Sequence, residues 1–432
     1  MKHLSMALGG SVFASFVLLC SVPSVAQTPS QNPNAGPNSV TEISVAGGQR
    51  TLLKIAIAPV LAEKSVANDA REVQATSNRD FSLSGLFQTL DERSFVANLG
   101  KEAGNIDPAS WRNVGADAVV KGSITSKGTS KKLELALFAP SKGSDAVFRR
   151  SYDLGGSTTL RGAVHQFDNE VVKYFTNRPG SFGTRLVFSA STAKGEKGIF
   201  LVESDGIGYG RIPAVSNVAI APSIGSGGVY YAAGLPDGSY SLFKAGTKDP
   251  VLKHQGLIFG AAFGPSAQMA LIVSQNGNTD IFLGGLDGSN LRKITKGGLN
   301  THPSFGPGGE VTYVSNESGS PQIYVNGKRV SWKGSYNMAP IWCADPEGAR
   351  IVYMGRDGAS WDIFSVLTSG DPASTRRLTQ DQGSNTYPAC SPDGRQVAFF
   401  STRGGLFMST QQGTNQQKIA DVQGESLRWE SN

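Results

Sequence analysis

Apolar and polar residues alternate in short runs through the C-terminal half of the chain, and a turn signal separates each run from the next. The clearest copy is Tyr387–Ser409, where Asp393-Gly394 and Arg403-Gly404-Gly405 divide the segment into three strands. Asp-Gly and Gly-Gly pairs reach the positive φ angles that tight hairpins need. With a fourth strand at Gln417–Ala420, this stretch is predicted to form one antiparallel sheet.

The same pattern occurs six times along the chain. The first apolar residues of the six copies, at intervals of 40 to 46 residues, are Leu186, Val229, Leu271, Val311, Ile351 and Val397. Repeats of this length that each supply one four-stranded sheet are typical of propeller blades. A single hairpin would be ordinary in any β protein, but six at near-constant spacing favour a six-bladed propeller over a sandwich.

The two ends of the repeat complement each other. No innermost strand precedes Arg185 in the first copy, whereas Leu427-Arg428-Trp429 is an isolated strand pattern near the C-terminus. Pairing the two would remove the unpaired strand edges of an open ring. We therefore predict a β-propeller over residues 179–432, closed by the C-terminal strand through Leu427 and Trp429.

Mixed helix and strand patterns between residues 42 and 178 predict a small α/β domain. Strands are expected at Leu52–Pro59, Ala118–Thr125, Lys132–Phe138 and Ala146–Leu154, and the end of a helix passing into a turn at Leu83–Leu90. Asp107-Pro108 is a capping pair that starts a helix, and Thr158–Thr176 carries a helical apolar face. His165 lies off that face, so we interpret it as a surface or domain-contact residue.

The first 41 residues are expected to lie outside both domains. Met1–Ala26 combines a basic start, an apolar run and a small-residue cleavage site, which predicts a secretory signal peptide cut before Gln27. Residues 27–41 are rich in Pro, Asn and Ser and predict a flexible tether. Cys20 leaves a lipoprotein alternative open. After signal cleavage, no other stretch is apolar enough to predict a membrane span.

The distribution of charged residues argues against a nucleic-acid partner. Charged residues make up 17% of the chain and the formal net charge is +6. The Lys and Arg are scattered among Asp and Glu without a basic stripe or an aromatic platform, so nucleic-acid binding is not expected.

Two cysteines remain after the predicted signal peptide. Cys343 and Cys390 fall in innermost strands of adjacent blades, and the strand alternation points their side chains in opposite directions. We therefore predict two buried free thiols rather than a disulfide. Two cysteines without neighbouring histidines offer no zinc site, and no metal or cofactor is predicted.

The residue inventory favours a binding protein over an enzyme. His165, His254 and His302 are the histidines beyond the signal peptide, and there is no His-x-x-x-His pair and no Gly-x-Ser-x-Gly segment. A propeller peptidase would also need a hydrolase domain that the sequence lacks. A periplasmic propeller hydrolase or lyase, and a propeller sensor or accessory protein, stay open as alternatives.

Candidate binding residues precede the innermost strands of three blades, where the loops converge on one mouth of the central channel. These channel-mouth triplets are Asn300-Thr301-His302, Asn337-Met338-Ala339 and Asn385-Thr386-Tyr387. Asn suits a tight bend and is explained by turn chemistry about as well as by binding. Met338 and Tyr387 are larger than a turn requires, so we expect them to contact a partner rather than to pack the blades.

Three segments resemble one known family. Phe81–Phe87 (FSLSGLF), Trp111–Gly122 and Leu160–Arg185, which ends in Phe182-Gly183-Thr184-Arg185, resemble the TolB family over about residues 40–432. These are periplasmic propeller proteins of the Tol-Pal system in Gram-negative envelopes.

The resemblance implies a periplasmic protein without catalytic activity or cofactor, which we expect to be a monomer. It implies that the propeller binds Pal, a peptidoglycan-associated lipoprotein. It also implies that the segment after the signal peptide binds TolA, an inner-membrane protein. Family members support outer-membrane integrity and envelope constriction at cell division.

Overall fold

The computed structural model describes residues 51–96, 102, 104–252 and 254–430. Residues Ile43–Asn432 belong to one compact unit, so the domain boundary expected between residues 178 and 179 stays a prediction. The predicted signal peptide (1–26) and tether (27–41) lie outside the described residues. Among the helices of the described ranges, none has the length and apolar character needed to cross a membrane.

A six-stranded mixed sheet forms the N-terminal part of the described chain. Its strands are β1 (Leu53–Ile57), β2 (Leu61–Ala62), β3 (Phe87–Thr89), β4 (Ala118–Lys127), β5 (Ser130–Phe138) and β6 (Ala146–Leu154). Their order is β3-β1-β4-β5-β6, with β2 also paired to β4. β1 runs parallel to β3 and β4, and β4-β5-β6 is antiparallel. The four predicted strands are confirmed, but Leu83–Leu90 contains strand β3 rather than only a turn.

Three α-helices flank this sheet. They are α1 (Ala67–Ser84), α2 (Pro108–Asn113) and α3 (Leu160–Thr176), and short 3-10 helices lie at Lys64–Val66, Glu92–Ser94 and Pro372–Ser374. The Asp107 side chain caps α2 by accepting a hydrogen bond from the Ala109 N–H, as predicted. Phe81 of α1 and Phe167 of α3 share one core cluster with the sheet, and Trp111 of α2 belongs to a second cluster.

Six sheets follow, each one blade of the propeller. Blade 1 contains β7 (Arg185–Ala193), β8 (Glu196–Glu203) and β9 (Gly210–Ile212), and blade 2 contains β10 (Ala219–Gly225), β11 (Gly228–Gly234) and β12 (Tyr240–Lys244). Blade 3 contains β13 (Leu257–Phe263), β14 (Gln268–Gln275), β15 (Asn278–Gly285) and β16 (Arg292–Lys293), and blade 4 contains β17 (Asn300–Phe305), β18 (Val311–Ser315), β19 (Gln322–Val325) and β20 (Lys328–Arg329). Blade 5 contains β21 (Tyr336–Cys343), β22 (Arg350–Asp357), β23 (Ser360–Leu367) and β24 (Arg376–Arg377), and blade 6 contains β25 (Asn385–Cys390), β26 (Gln396–Ser401), β27 (Gly405–Thr410) and β28 (Gln417–Ala420).

The C-terminal strand closes the ring, as predicted. Strand β29 (Glu425–Trp429) pairs antiparallel with β7 and completes blade 1, with Trp429 opposite Leu186. Leu427 is fully buried, and the Trp429 indole N–H donates to the Thr184 hydroxyl at 2.8 Å. The six-bladed architecture, predicted from the repeat spacing, and its closure, predicted from the complementary ends of the repeat, are therefore confirmed.

Adjacent blades pack through opposite faces of their sheets. In β22, Ile351 and Tyr353 belong to a cluster shared with blade 4, whereas Val352 and Met354 belong to one shared with blade 6. Successive side chains of a strand point to opposite faces. Along each strand, alternate side chains therefore pack against one neighbouring blade, and the side chains between them pack against the other.

This packing explains why the prediction of two free thiols is wrong. Cys343 and Cys390 form a disulfide between blades 5 and 6, with their Cα atoms 5.7 Å apart. The two side chains do point in opposite directions within their own sheets. Adjacent blades present opposite faces of their sheets to each other. Two side chains that point in opposite directions within their own sheets therefore meet between the blades.

Truncation of the chain before Glu425 tests the closure. Removing β29 leaves the inner edge of β7 unpaired and takes a large aromatic out of the core, which should cost about 3–5 kcal/mol of unfolding free energy. Chemical denaturation and light scattering would record the lower stability and the aggregation of the open edge. Glu430→Gln, which removes only the partly exposed ion pair with Arg185, should cost below about 1 kcal/mol. An unchanged midpoint after truncation would contradict this role of β29.

The disulfide gives a second prediction. Peptide mapping without reductant should recover one cross-linked pair containing Cys343 and Cys390. The bond joins residues 47 positions apart, for which the chain-entropy model gives about 4 kcal/mol of stabilisation. The double variant Cys343→Ser, Cys390→Ser should lose up to that amount in chemical denaturation. Alkylation of both thiols in the unreduced, unfolded chain would show that the bond does not form.

Candidate functional site

The three channel-mouth triplets lie in innermost strands rather than in loops. Asn300, Thr301 and His302 open β17, Asn385, Thr386 and Tyr387 open β25, and Asn337 and Met338 lie near the start of β21. The expectation of loops is wrong because each bend is made inside the strand. The pairing register shifts by a β-bulge at this point in all three.

The bulge is a feature of every innermost strand. One residue of each strand has a positive φ: Ala221 (47°), Gly260 (156°), His302 (51°), Ala339 (50°), Tyr387 (49°) and Ser426 (55°). A non-glycine residue in this region costs about 1 kcal/mol or more, so the surrounding ladder must impose it. In four of the six, proline follows, and its missing N–H leaves no donor unpaired where the ladder is interrupted.

The asparagines of the triplets are engaged inside the propeller. Asn300, Asn337 and Asn385 are all buried. The Asn300 amide donates to the Gly297 carbonyl at 2.7 Å, and the Asn337 amide donates to the Gln322 side chain at 2.7 Å. These amides hold the turns and neighbouring strands that lead into the innermost strands, which accords with turn chemistry.

Met338 and Tyr387 contribute to packing between blades, contrary to expectation. Met338 is half-buried against the clusters that blade 5 shares with each neighbour, and Tyr387 packs against both clusters that blade 6 shares with its own neighbours. The Tyr387 N–H points at the Met354 sulfur at 3.4 Å. Burial raises the pKa of the Tyr387 hydroxyl. Any contact that these side chains make with a partner would therefore use only their remaining exposed surface.

His302 lies close enough to a cationic residue, Arg428, for that charge to affect its pKa. Burial and the charge of Arg428 together lower the pKa of His302 to about 4, so the imidazole is neutral at physiological pH. Its Nδ1 lies 2.9 Å from the Thr301 hydroxyl. A neutral imidazole here offers hydrogen bonds but no charge.

A second polar site, not predicted from the sequence, joins the α/β part of the chain to blade 1. Arg161 of α3 forms an ion pair with Asp205 and another, at 3.2 Å, with Glu203. His165, one turn further along α3, places its Nδ1 2.7 Å from the Asp80 carboxylate. His165 is only 4% exposed, so it is a contact residue between the two parts and not a surface residue.

Two buried carboxyl groups complete this polar cluster. Burial raises the pKa values of both Asp80 and Asp168 well above the usual range, and the negative charge of the neighbouring Asp80 raises that of Asp168 further. The Ser77 hydroxyl also donates to Asp168, at 3.2 Å. Burial lowers the pKa of His165. The cluster is therefore a hydrogen-bonded network in which one carboxyl group stays neutral.

Three residues of this cluster carry side chains that can bind a metal ion. Ligand atoms of Asp80, His165 and Asp205 lie within 4.8 Å of one another, a geometry that a cation could use. However, the Arg161 guanidinium already pairs with Asp205 and lies 3.3 Å from His165 Nε2. A divalent ion would have to displace this guanidinium, so the donor set fits an ion-pair network better than a metal.

Six blades closed by a terminal strand and preceded by a small α/β sheet define a two-part β-propeller protein. A family model described as the TolB amino-terminal domain matches residues 41–142, and one described as the TolB beta propeller domain matches residues 172–426. The chain belongs to the TolB family.

Individual relatives agree with this assignment. The "Protein TolB homolog" of Chlorobaculum tepidum is 30% identical over 235 residues, which cover 53% of this chain and 52% of that protein. The "Tol-Pal system protein TolB" of Anaeromyxobacter dehalogenans is 29% identical over 251 residues, which cover 56% and 57%. The chain spans about half the length of these curated relatives. A crystal structure of TolB from Acinetobacter baumannii has the same fold, with a TM-score of 0.73 at 21% identity over 88% of this chain and 97% of that one.

Asp168→Asn tests the neutral carboxyl group. A pKa raised by folding means that the stability contribution of Asp168 is fully present below its unfolded pKa and is lost as pH rises through the folded pKa. Asn keeps a donor for Asp80 but cannot ionise, so the variant should escape this loss. Its thermal midpoint, measured from pH 5 to 9, should exceed the wild-type value by about 1 °C at the alkaline end, the shift that ~1 kcal/mol produces in a chain of this size.

Asp249→Asn is the matched control for this measurement, because Asp249 is exposed. Its pH profile should follow the wild-type profile. A profile of Asp168→Asn that also runs parallel to the wild type over the whole range would show that Asp168 does not carry the proton.

Proposed function

We propose that this chain is a non-enzymatic periplasmic scaffold of a Tol-Pal system whose propeller binds a peptidoglycan-associated lipoprotein. The observation that supports this most is the match of both parts of the chain to TolB family models, together with relatives named for the Tol-Pal system. Such a scaffold would support outer-membrane integrity and envelope constriction at cell division. A TolA-like protein is a second proposed partner, through the segment that follows the predicted signal peptide.

The proposed partner surface is the channel mouth built by the three triplets. Six innermost strands bend there through the same bulge, so the backbone at this mouth is held rigidly. A rigid surface loses little conformational entropy on binding, which favours affinity. We propose that the half-buried side chains of Thr301, His302, Met338, Thr386 and Tyr387 supply the contacts. The buried asparagines at positions 300, 337 and 385 would hold these side chains in place.

The chemistry of the mouth supports binding rather than catalysis. His302 is neutral and pairs with the Thr301 hydroxyl, but no acid among the described residues hydrogen-bonds to it as the orienting group of a catalytic triad would. The more strongly perturbed carboxyl groups, Asp80 and Asp168, are fully buried where a substrate could not reach them. Protein recognition therefore suits this surface better than hydrolysis.

Titration with the soluble domain of a Pal-like lipoprotein tests the proposal. Replacing Met338 and Tyr387 together with Ala should weaken binding by about 2–4 kcal/mol, or roughly thirtyfold to a thousandfold, because interfaces draw most of their energy from a few large side chains. Both residues also pack the blades, so the thermal midpoint must be measured in parallel.

A second variant separates binding from packing. Thr386→Arg adds bulk at the mouth without removing a packed side chain, and it should weaken binding at least tenfold while the thermal midpoint stays close to wild type. Arg292→Ala on the exposed outer strand β16 is the control and should bind normally. Wild-type affinity in a folded Thr386→Arg variant would place the contact elsewhere on the chain.

A further inference from the structure

Arg428 occupies an unusual position in the ring of innermost strands. It lies two residues after the bulge residue of β29, and the equivalent residues of the other five strands are uncharged. These are Ser223, Ala262, Ser304, Ile341 and Ala389. The closing strand thus contributes the one charged side chain at this level of the channel, beside side chains that are mostly small.

The guanidinium of Arg428 lacks a counter-charge from the protein. Its Nη1 donates to the carbonyl of the preceding residue, Leu427, at 2.9 Å, and among the described residues no carboxylate forms an ion pair with it. Burial lowers the pKa of Arg428 to about 10, which still leaves the group cationic at neutral pH. Arg428 is half-buried. An unpaired charge that has lost part of its hydration is costly, so a protein that keeps one commonly uses it.

The neighbouring groups do not neutralise Arg428. Glu430, which lines the same part of the channel, is engaged by Arg185 through both the side chain and the backbone N–H. This pairing lowers the pKa of Glu430 and balances its charge within the pair. His302 is neutral, so it neither competes with Arg428 for an anion nor adds a second positive charge.

The cavity around Arg428 has the size and lining for a small organic anion. It has a volume of about 220 Å³ and receives residues from all six innermost strands. Phe263, Ile341 and Trp342 supply apolar wall, with Arg428 as the cation. A single guanidinium matches a monovalent, planar anion that its fork can hold with two hydrogen bonds, which is the geometry of a carboxylate rather than a phosphate dianion.

We propose that the central channel is a carboxylate-binding site, with Arg428 as the anion-binding residue and the apolar wall holding a short hydrocarbon body. The carboxylate has two sources with the same chemistry, a free small acid or an acidic side chain that a bound protein inserts into the channel. The site goes beyond the proposed lipoprotein binding and does not depend on it.

Titration with butyrate tests the site directly, using the whole chain and butyramide as the uncharged isostere. The arginine Nε–Hε resonance of Arg428, identified by its absence from the spectrum of Arg428→Met, should shift saturably with butyrate and stay in place with butyramide. Arg428→Met should weaken butyrate binding at least tenfold, measured by calorimetry. Arg292→Met, on the exposed face of blade 3, should leave it unchanged.

The thermal midpoint gives an independent readout. Without ligand, Arg428→Met should be at least as stable as the wild type, because it removes an unpaired, half-buried charge. Butyrate should raise the midpoint of the wild type only. If Arg428→Met does not fold, Arg428→Gln replaces it. The shift of the wild-type Arg428 resonance with butyrate then still tests the site. The inference is overturned if butyrate causes no saturable shift, or if butyramide shifts the resonance equally.

A final arm separates the two sources of the carboxylate. If Arg428→Met weakens binding of the Pal-like soluble domain at least tenfold and butyrate competes with that domain, the carboxylate belongs to the protein partner. If butyrate binds at Arg428 but the domain binds the variant as tightly as the wild type, or binds neither of them, the ligand is a free acid. The butyrate arm needs no partner, so failure of the proposed function would not be mistaken for failure of this site.

Discussion

The backbone ladder between β29 and β7 is the interaction on which the propeller depends. Each blade has an innermost strand that borders the channel, and blade 1 obtains its own from the other end of the chain. Without it, two neighbouring blades would lose the surface against which they pack. Leu427 and Trp429 also join the cluster between blades 6 and 1, so the ladder and the core close together.

Closure also determines what the channel contains. Because β29 is both the last strand and a wall of the channel, a single residue of the terminal segment can place a charge at the centre of the ring. Arg428 has that position, and its charge acts on the neutral His302. The polar cluster of Arg161, His165 and Asp205 lies elsewhere, where α3 meets blade 1. The molecule thus keeps these two polar sites apart from each other.

Periodicity allowed the fold to be predicted in detail, because alternation and turn signals are local properties of a strand. Six blades, the strand that closes them and four strands of the N-terminal sheet followed from it. The way in which neighbouring sheets pack could not be predicted from this local pattern. The Cys343–Cys390 bond was missed because alternation was applied within one strand, whereas the pairing depends on how facing sheets meet.

The candidate sites were harder to predict for the same reason. The bulges that bend each innermost strand leave no turn signal beyond the proline that follows four of them, so strand residues were interpreted as loops. The cluster around His165 depends on contacts between positions far apart in the chain, such as Asp80 and Asp205. The one signal in the sequence was the i, i+4 spacing of Arg161 and His165, which places both on one face of α3. This spacing does not reveal which residues that face contacts.

The pairing of Glu430 with Arg185 has a consequence for how the molecule acquires its fold. These residues are 245 positions apart, and joining chain segments across such a separation costs about 5 kcal/mol in loop-closure entropy. Blade 1 therefore cannot be completed until almost the whole polypeptide has been synthesised. Until then, β7 to β9 exist as an unfinished sheet with an exposed inner edge. The slow step of folding is thus expected to be the arrival of the last strand, and a chaperone that protects this edge would be needed for longest at the blade that is made first.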